Sequence, residues 1–562
     1  MKVHVDGAGE VTLGRGDFVS EGAQGAVYAR DGVAYKVYHD PAHMIPAGKF
    51  DALAAIDDRG VLRPQAMVRD GQGRAVGFTM DFLEGTEPLC RLMTKTFREQ
   101  HRVSGVQVLS VVEGMRDRLA RIHAADVLVV DLNPLNLLLS SGLSEVFFID
   151  VDSYQTARYP ATAIADSIRD RHARPGEFTA ETDWFAFAVI AFQLFVGVHP
   201  YRGHHPSLKT MDARMEANVS VLRPEVKVPA SAYPFEDIPA VWRSWFERVL
   251  DGQERSKAPG GAAMAVVGPA RPARPVMSTG RFELRGLETY DGVVVACFGW
   301  RGRACVVTRE SVWLDGRPVQ ATPAGQWAIG VSGKAGRPVL AWLEDGRVKL
   351  MDLDRQVPVA CELAASELAM ADTRVLARCG ESVVEVELVD VGAGVVAAPR
   401  VVAQVMAKAT RLWPGVAVQN MLGATWVSLF DAPGRCRQVR VKELDGHRVI
   451  DARFERGVLV VTAERAGRFD RIVFRFAADF GSYDVRRTED VSDPAVAFVV
   501  LDTGVAVQLT EDGQLEVFVA KMGHPAVQVI EDPLLGRDLR LFGRDGQLSA
   551  SRGRQVFGLS MR

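Results

Sequence analysis

Residues Leu128 to Leu139 read LVVDLNPLNLLL, and the rest of the N-terminal half is best understood outward from this stretch. Asp131 and, five residues on, Asn136 occupy a short polar loop between apolar runs. Asp150 closes the run VFFID, fourteen residues beyond Asn136. The apolar runs read as strands, so the order is strand, Asp-x-x-x-x-Asn loop, strand, Asp. That layout suits phosphoryl transfer. One carboxylate lies near the nucleophile, and an amide and a second carboxylate offer hard oxygen atoms to a metal over the phosphates. Asp and Asn after a helix are also common turn and cap residues, so the remaining parts must be sought elsewhere in the chain.

They are found upstream. Lys2 to Tyr38 reads as short strands and turns, and Ser20-Glu21-Gly22-Ala23-Gln24-Gly25 is a Gly-rich turn between two of them. Gly22 and Gly25 would let backbone N–H groups approach phosphate oxygens, although a G-x-x-G hairpin is by itself more often only a turn. Eleven residues past Gly25, Lys36 sits in AYKVY, on a strand, where an inward lysine neutralises phosphate charge and an edge lysine would snorkel. KFDALAAIDD from Lys49 has helical spacing, with Phe50, Leu53, Ala54 and Ile56 near one face. MVRD, a DGQG turn and AVGFTMDFL form a hairpin. In Met80-Asp81-Phe82-Leu83-Glu84-Gly85 the extended backbone would meet an adenine edge, with Met80, Phe82 and Leu83 lining its pocket. Val106, Leu109, Val112, Met115, Leu119 and Ile122 mark a helix over 103–123.

Composition narrows the class. At 562 residues the chain needs several cores, and its net charge of −3 gives no general pull toward nucleic acid or an anionic membrane. The longest apolar run, Trp184 to Val198, is broken by Gln193 and is shorter than the roughly 20 residues of a bilayer span. No apolar leader opens the chain, and the six cysteines are scattered without a C-x-x-C pair. A cytoplasmic protein is expected.

The character changes at a Pro/Gly/Ala-rich linker over 261–280. From 281 to 562 short alternating strands and turn dipeptides recur in seven units, among them PVLAWLEDGRVKLMDL and GVAVQLTEDGQLEVFV. Spacings of roughly 35 to 50 residues predict a β-propeller of six or seven blades; a pair of β-sandwiches is the alternative. Acidic pairs such as Glu344-Asp345 and Glu511-Asp512 read as hairpin-tip residues, and His447 and His524 are isolated.

In order, Gly22, Gly25, Lys36, Asp131, Asn136 and Asp150 resemble the motifs of a protein kinase domain, over residues 11 to about 259. His123 stands where kinases carry a His ahead of the catalytic loop. Asp183-Trp-Phe resembles the start of the large-lobe core helix, and Glu177 in RPGEF the glutamate that closes the activation segment and pairs with Arg255. The resemblance implies an α+β two-lobed fold over 1–260, with a small lobe to about 85 and a large lobe from 86. It implies ATP and Mg2+, with Mn2+ as a substitute. Asp131 would act on the substrate hydroxyl, Lys36 on the phosphates, and Asn136 and Asp150 on the metal. The D-L-N-P-x-N and I-D-x-D-S-[FY]-Q wording resembles a bacterial group found beside tellurium-resistance-type genes, which implies a cognate phosphatase among its partners.

The departures from the kinase pattern are specific. Val129 and Val130 replace the His and Arg before the catalytic Asp, Asn133 the loop lysine, and Asp150-Val151-Asp152 the D-F-G. Asp152 would add a metal ligand or point to solvent. Asp51 is the nearest candidate to pair with Lys36 from the first helix. A Ser/Thr-type protein kinase is expected, its β domain recruiting a protein substrate or regulator, with no nucleic acid or membrane partner. The alternative is an inactive or weak pseudokinase serving as a nucleotide-binding scaffold.

Overall fold

Alternation of apolar and polar residues along the first eighty positions builds one seven-stranded sheet. Its strands are β1 (Lys2–Val5), β2 (Gly9–Thr12), β3 (Phe18–Glu21), β4 (Gly25–Arg30), β5 (Val33–Tyr38), β6 (Met67–Arg69) and β7 (Ala75–Asp81), in the order β2-β1-β6-β7-β5-β4-β3. The computed structural model describes residues 1–22, 24–161, 164–229, 232–260, 282–465, 467–532, 534–536, 538–544 and 546–561. The linker expected at 261–280 and Ala23 of the Gly-rich turn lie outside these residues. The chain divides into two compact units.

In the first unit the two-residue period of β5 decides what reaches the site. Val33, Tyr35 and Val37 join the cluster of Val3, Val5, Leu13, Val68 and Val76 on one face. Lys36 and Tyr38 take the other face. Lys36 lies opposite Val27 of β4 and Phe78 of β7, and Ala34 opposite Met80. Directly paired residues share a face, so Phe78 and Met80 turn to the same side as Lys36.

Helix α1 (Ala47–Ala54) follows β5, and α2 (Lys95–Gln100) and α3 (Gly105–Ala124) come after β8 (Glu87–Pro88). Ser104 and Gln107 close a capping box at the start of α3. Leu109, Val112, Met115, Leu119 and Ile122 are buried as their spacing predicts, but Val106, in the first turn, is exposed. The antiparallel hairpin of β9 (Leu137–Leu139) and β10 (Val146–Phe148) pairs Leu137 with Phe148, so its open end carries both the 131–136 loop and Asp150, and the Ile149 N–H donates to the Asn136 carbonyl at 2.9 Å. The run from Trp184 is a core helix, α4 (Ala180–Val196), started by a Thr179/Thr182 capping box and ended by Gly197 at φ +80°. With α5 (Met211–Ala217) and α6 (Ala240–Phe246) it completes the helices, and Phe187, Phe192 and Phe195 pack on Trp242, Trp245 and Phe246. Among the described residues, no helix is long and apolar enough to cross a membrane.

The second unit is all β. Among the described residues it holds seven four-stranded sheets. Six use strands consecutive in sequence, over 294–321, 327–359, 367–404, 410–440, 448–488 and 498–531. The seventh joins the unit's first strand, Phe282–Thr289, to its last three, Leu539–Arg544, Gln547–Arg552 and Gln555–Met561, with Leu284 opposite Leu559. Each sheet shares a buried apolar cluster with the next. Cys305 and Leu314 meet Leu340; Ala341 and Leu350 meet Val375; Leu376 meets Ala417 and Phe430. Leu429 meets Leu459 and Phe474; Val460 meets Phe498; Val507 meets Leu541 and Phe557. Val556 then meets Val294 and Cys297, which returns the cycle to its first sheet. Asp345 and Gly346 both have positive φ, as a tight hairpin turn requires. Glu511 and Asp512 likewise lie in the turn between the paired strands Val505–Leu509 and Gln514–Val519, and the half-buried Glu511 carboxylate accepts from Arg471 Nη1 at 2.9 Å.

Candidate phosphoryl-transfer site

The stretch that leads into Asp131 is held by one carboxylate. Asp183, fully buried at the start of α4, accepts the N–H groups of Val129 at 2.8 Å and Val130 at 2.9 Å, and His123 Nε2 lies 2.9 Å from it. Val130 is β-branched yet has φ +63°, a conformation such residues adopt only when the surroundings impose it. Asp183 thus fixes the turn that delivers Asp131, although the two residues before Asp131 are both Val.

Asp131 and Asn136 come together as expected. Asn136 Nδ2 donates to Asp131 Oδ2 at 3.2 Å and to its carbonyl at 3.3 Å, which turns the amide oxygen of Asn136 away from Asp131. Ala165 N–H donates to Asp131 Oδ1 at 2.9 Å. Burial raises the Asp131 carboxyl above its ordinary range; the Ala165 hydrogen bond opposes this, and the Asp150 charge adds to it. Asn133 is committed to its own loop. It is buried, and its Oδ1 accepts the Leu135 N–H at 3.0 Å in an Asx turn.

Asp150 has φ +59° and offers Oδ1 to Lys36 Nζ at 2.8 Å. Lys36 is buried and also donates to Asp152 Oδ2 at 2.6 Å. Burial pulls the Lys36 ammonium down, but Asp152 and Asp150 outweigh it and hold Lys36 above its ordinary value. Two expectations are overturned here. Asp51 is exposed on α1 and makes no pair with Lys36. Asp152 does not point to solvent: it is buried, and its Oδ2 accepts from both Lys36 and the Tyr38 hydroxyl.

Of the two glycines, Gly25 is required by packing. A Cβ there would collide with the Val37 carbonyl and with Tyr38 Cα on β5. A Cβ on Gly22 would meet only the Gly25 carbonyl, at 4.0 Å, so Gly22 leaves open space in the turn. Met80, Phe82 and Leu83 carry the chain out of β7, each half-buried. The Phe82 N–H donates to the Gly32 carbonyl at 2.9 Å, which commits that N–H away from a ligand edge.

A third correction concerns the segment ahead of α4. Arg255 does not pair with Glu177, which is exposed and lies near Arg174. Arg255 instead makes a bidentate pair with buried Asp170, Nε to Oδ2 at 2.6 Å and Nη2 to Oδ1 at 2.9 Å, while its guanidinium covers the Phe185 ring at 4.5 Å. Sequence reasoning missed Asp170, Lys49 and the role of Asp152. Lys49 shares the buried face of α1 with Leu53, and a helical face scored only on apolar residues passes over it.

No family model matches the chain. Over 177 residues it is 28% identical to a serine/threonine-protein kinase, PkaB, of Streptomyces coelicolor, an alignment covering 28% of this chain and 39% of that protein. A kinase-like region is present. The chain spans about two fifths of the length of the curated relative it matches, and nothing in the likeness supports the expected link to tellurium-resistance-type genes.

Proposed function

We propose that the first unit is an ATP-dependent Ser/Thr-type protein kinase that transfers the terminal phosphoryl group to a protein hydroxyl. The observation that carries this reading is the convergence of four residues from three separate segments: Lys36 on Asp150, and Asn136 on Asp131. The donor set suits Mg2+. The Asn136 amide oxygen is turned away from Asp131, Asp150 is partly exposed with its Oδ1 held by Lys36, and hard oxygen atoms are what this ion takes. When bound, the cation would neutralise charge on the phosphates. Lys36 would pair with phosphate oxygens, Gly22 would allow the turn after β3 to close over them, and Met80, Phe82 and Leu83 would line the base pocket. Asp131, its carboxyl raised by burial, would orient the acceptor hydroxyl and take its proton.

Two observations favour a second reading, in which turnover is weak and the unit serves as a nucleotide-binding scaffold. Asp131 Oδ1 already holds the Ala165 N–H, and Asn133 supplies no positive charge to the transferring group. For the second unit, the closed cycle of seven sheets supports a seven-bladed β-propeller whose last blade is completed by its first strand. A partner-recruiting role for it rests on fold analogy alone, as does a cytoplasmic location on the kinase likeness. Incubation with radiolabelled ATP, Mg2+ and a Ser/Thr peptide mixture tests the kinase reading. Label transfer should vanish in Asp131→Ala and in Asp150→Ala. Stabilisation by nucleotide with no transfer in the wild type would favour the scaffold.

A further inference from the structure

A lysine buried beside phosphates needs a fixed counter-charge, or it swings toward whichever anion is nearest. In this chain helix α1 provides none. Its inward residue is Lys49, buried, whose Nζ donates to the backbone carbonyl of Asp152 at 2.7 Å. The carboxylate of the same Asp152 accepts from Lys36 and from Tyr38, both on β5. Asp152 therefore gathers three donors, two from the strand and one from the helix. We propose that Asp152 is the positioning residue for Lys36, and that Lys49 ties helix α1 to it, so that helix and strand are joined through the segment after Asp150 and not by a carboxylate on the helix. This rests on the kinase reading of the first unit.

The charge count explains the arrangement. Lys36 and Lys49 face Asp150 and Asp152. If Asp150 turns to a cation, Lys36 would lose its counter-ion were Asp150 its only partner. Asp152 lets Lys36 stay fixed while Asp150 serves the metal. A metal-ligand role for Asp152 fits worse, because its side chain is only 4% exposed and its Oδ2 is taken twice. Lys49 is the group whose change of sign is most informative. A carboxylate introduced at position 49 would add a third negative charge beside Lys36 while Asp152 is charged, but only a second one, balancing the loss, in Asp152→Asn.

The test compares four full-length chains: wild type, Asp152→Asn, Lys49→Glu, and the double variant. ATP affinity with Mg2+ is read by calorimetry, and KM and kcat by transfer. Each single variant should weaken ATP binding about tenfold or more, as loss of a charge-assisted contact does, with KM rising more than kcat falls. The double variant should recover to within about threefold of wild type. Wild-type behaviour in Asp152→Asn, or a double variant as poor as the two losses multiplied, overturns the proposal. If the wild type binds no ATP, the kinase reading fails separately. The pairing is then read from chemical unfolding of Lys36→Met, Asp152→Asn and their combination: a double variant no less stable than the worse single supports it, and summed losses overturn it.

Discussion

Single residues in this chain carry loads that their neighbours in sequence do not announce. Asp183 satisfies two buried backbone N–H groups and His123, so Asp183→Ala should cost about 3 kcal/mol of stability, each orphaned donor contributing about 1–3 kcal/mol. Urea unfolding measures this, and a loss under about 1 kcal/mol would deny Asp183 the role. His199 sets a pH dependence. It is buried, with Nε2 on the Ser167 carbonyl at 2.8 Å and Nδ1 accepting the Tyr201 N–H at 3.2 Å, and burial pushes its imidazole down to about 3 from 6.5. Below pH 6.5 the unfolded chain gains a proton that the folded chain does not take up until about pH 3. Its contribution is therefore complete above pH 6.5 and is lost as the pH falls, by up to about 1.4 kcal/mol per pH unit. Unfolding free energies from pH 7 to pH 4.5 should fall less steeply in His199→Gln than in the wild type.

Lys36, Asp131, Asn136 and Asp150 are legible in the sequence because each lies in a short run with fixed spacing between apolar strands. Asp170 is not, since its arginine partner is 85 residues away and a lone loop carboxylate has no local signature. Helix α1 hides its message for a different reason: its inward residue is polar, and the role of Lys49 emerges only from its contact with the Asp152 carbonyl, 103 residues away. The β4–β5 hairpin distinguishes the two glycines that look alike in the sequence. Gly25→Ala must push the backbone of β5 away and should cost about 1–3 kcal/mol, the usual range for overpacking. Gly22→Ala has room, so it should leave the thermal midpoint within a degree or two while changing ATP affinity. Equal destabilisation by both would contradict the packing account.

At the scale of the whole molecule, seven repeats of strand and turn are visible in the sequence because hairpin turns leave local marks such as Asp345-Gly346. The closure of the cycle is not. Phe282–Thr289 pairs with Gln555–Met561, and no pattern within either strand says that chain-distant partners will meet. A chain lacking residues 282–289 should unfold its second unit at a markedly lower temperature, since the seventh sheet loses a strand and Leu284 leaves the cluster of Leu541 and Phe557. Unchanged unfolding would argue against a closed ring.

The central claim, that the first unit is built to transfer phosphate, is tested most directly by the transfer rate from Mg-ATP in wild type and Asp131→Ala, with ATP affinity measured on the same samples. The expected result is binding of similar strength in both, with transfer at least about a hundredfold slower in Asp131→Ala, the scale of a lost general base. Equal transfer in the two proteins would contradict the account.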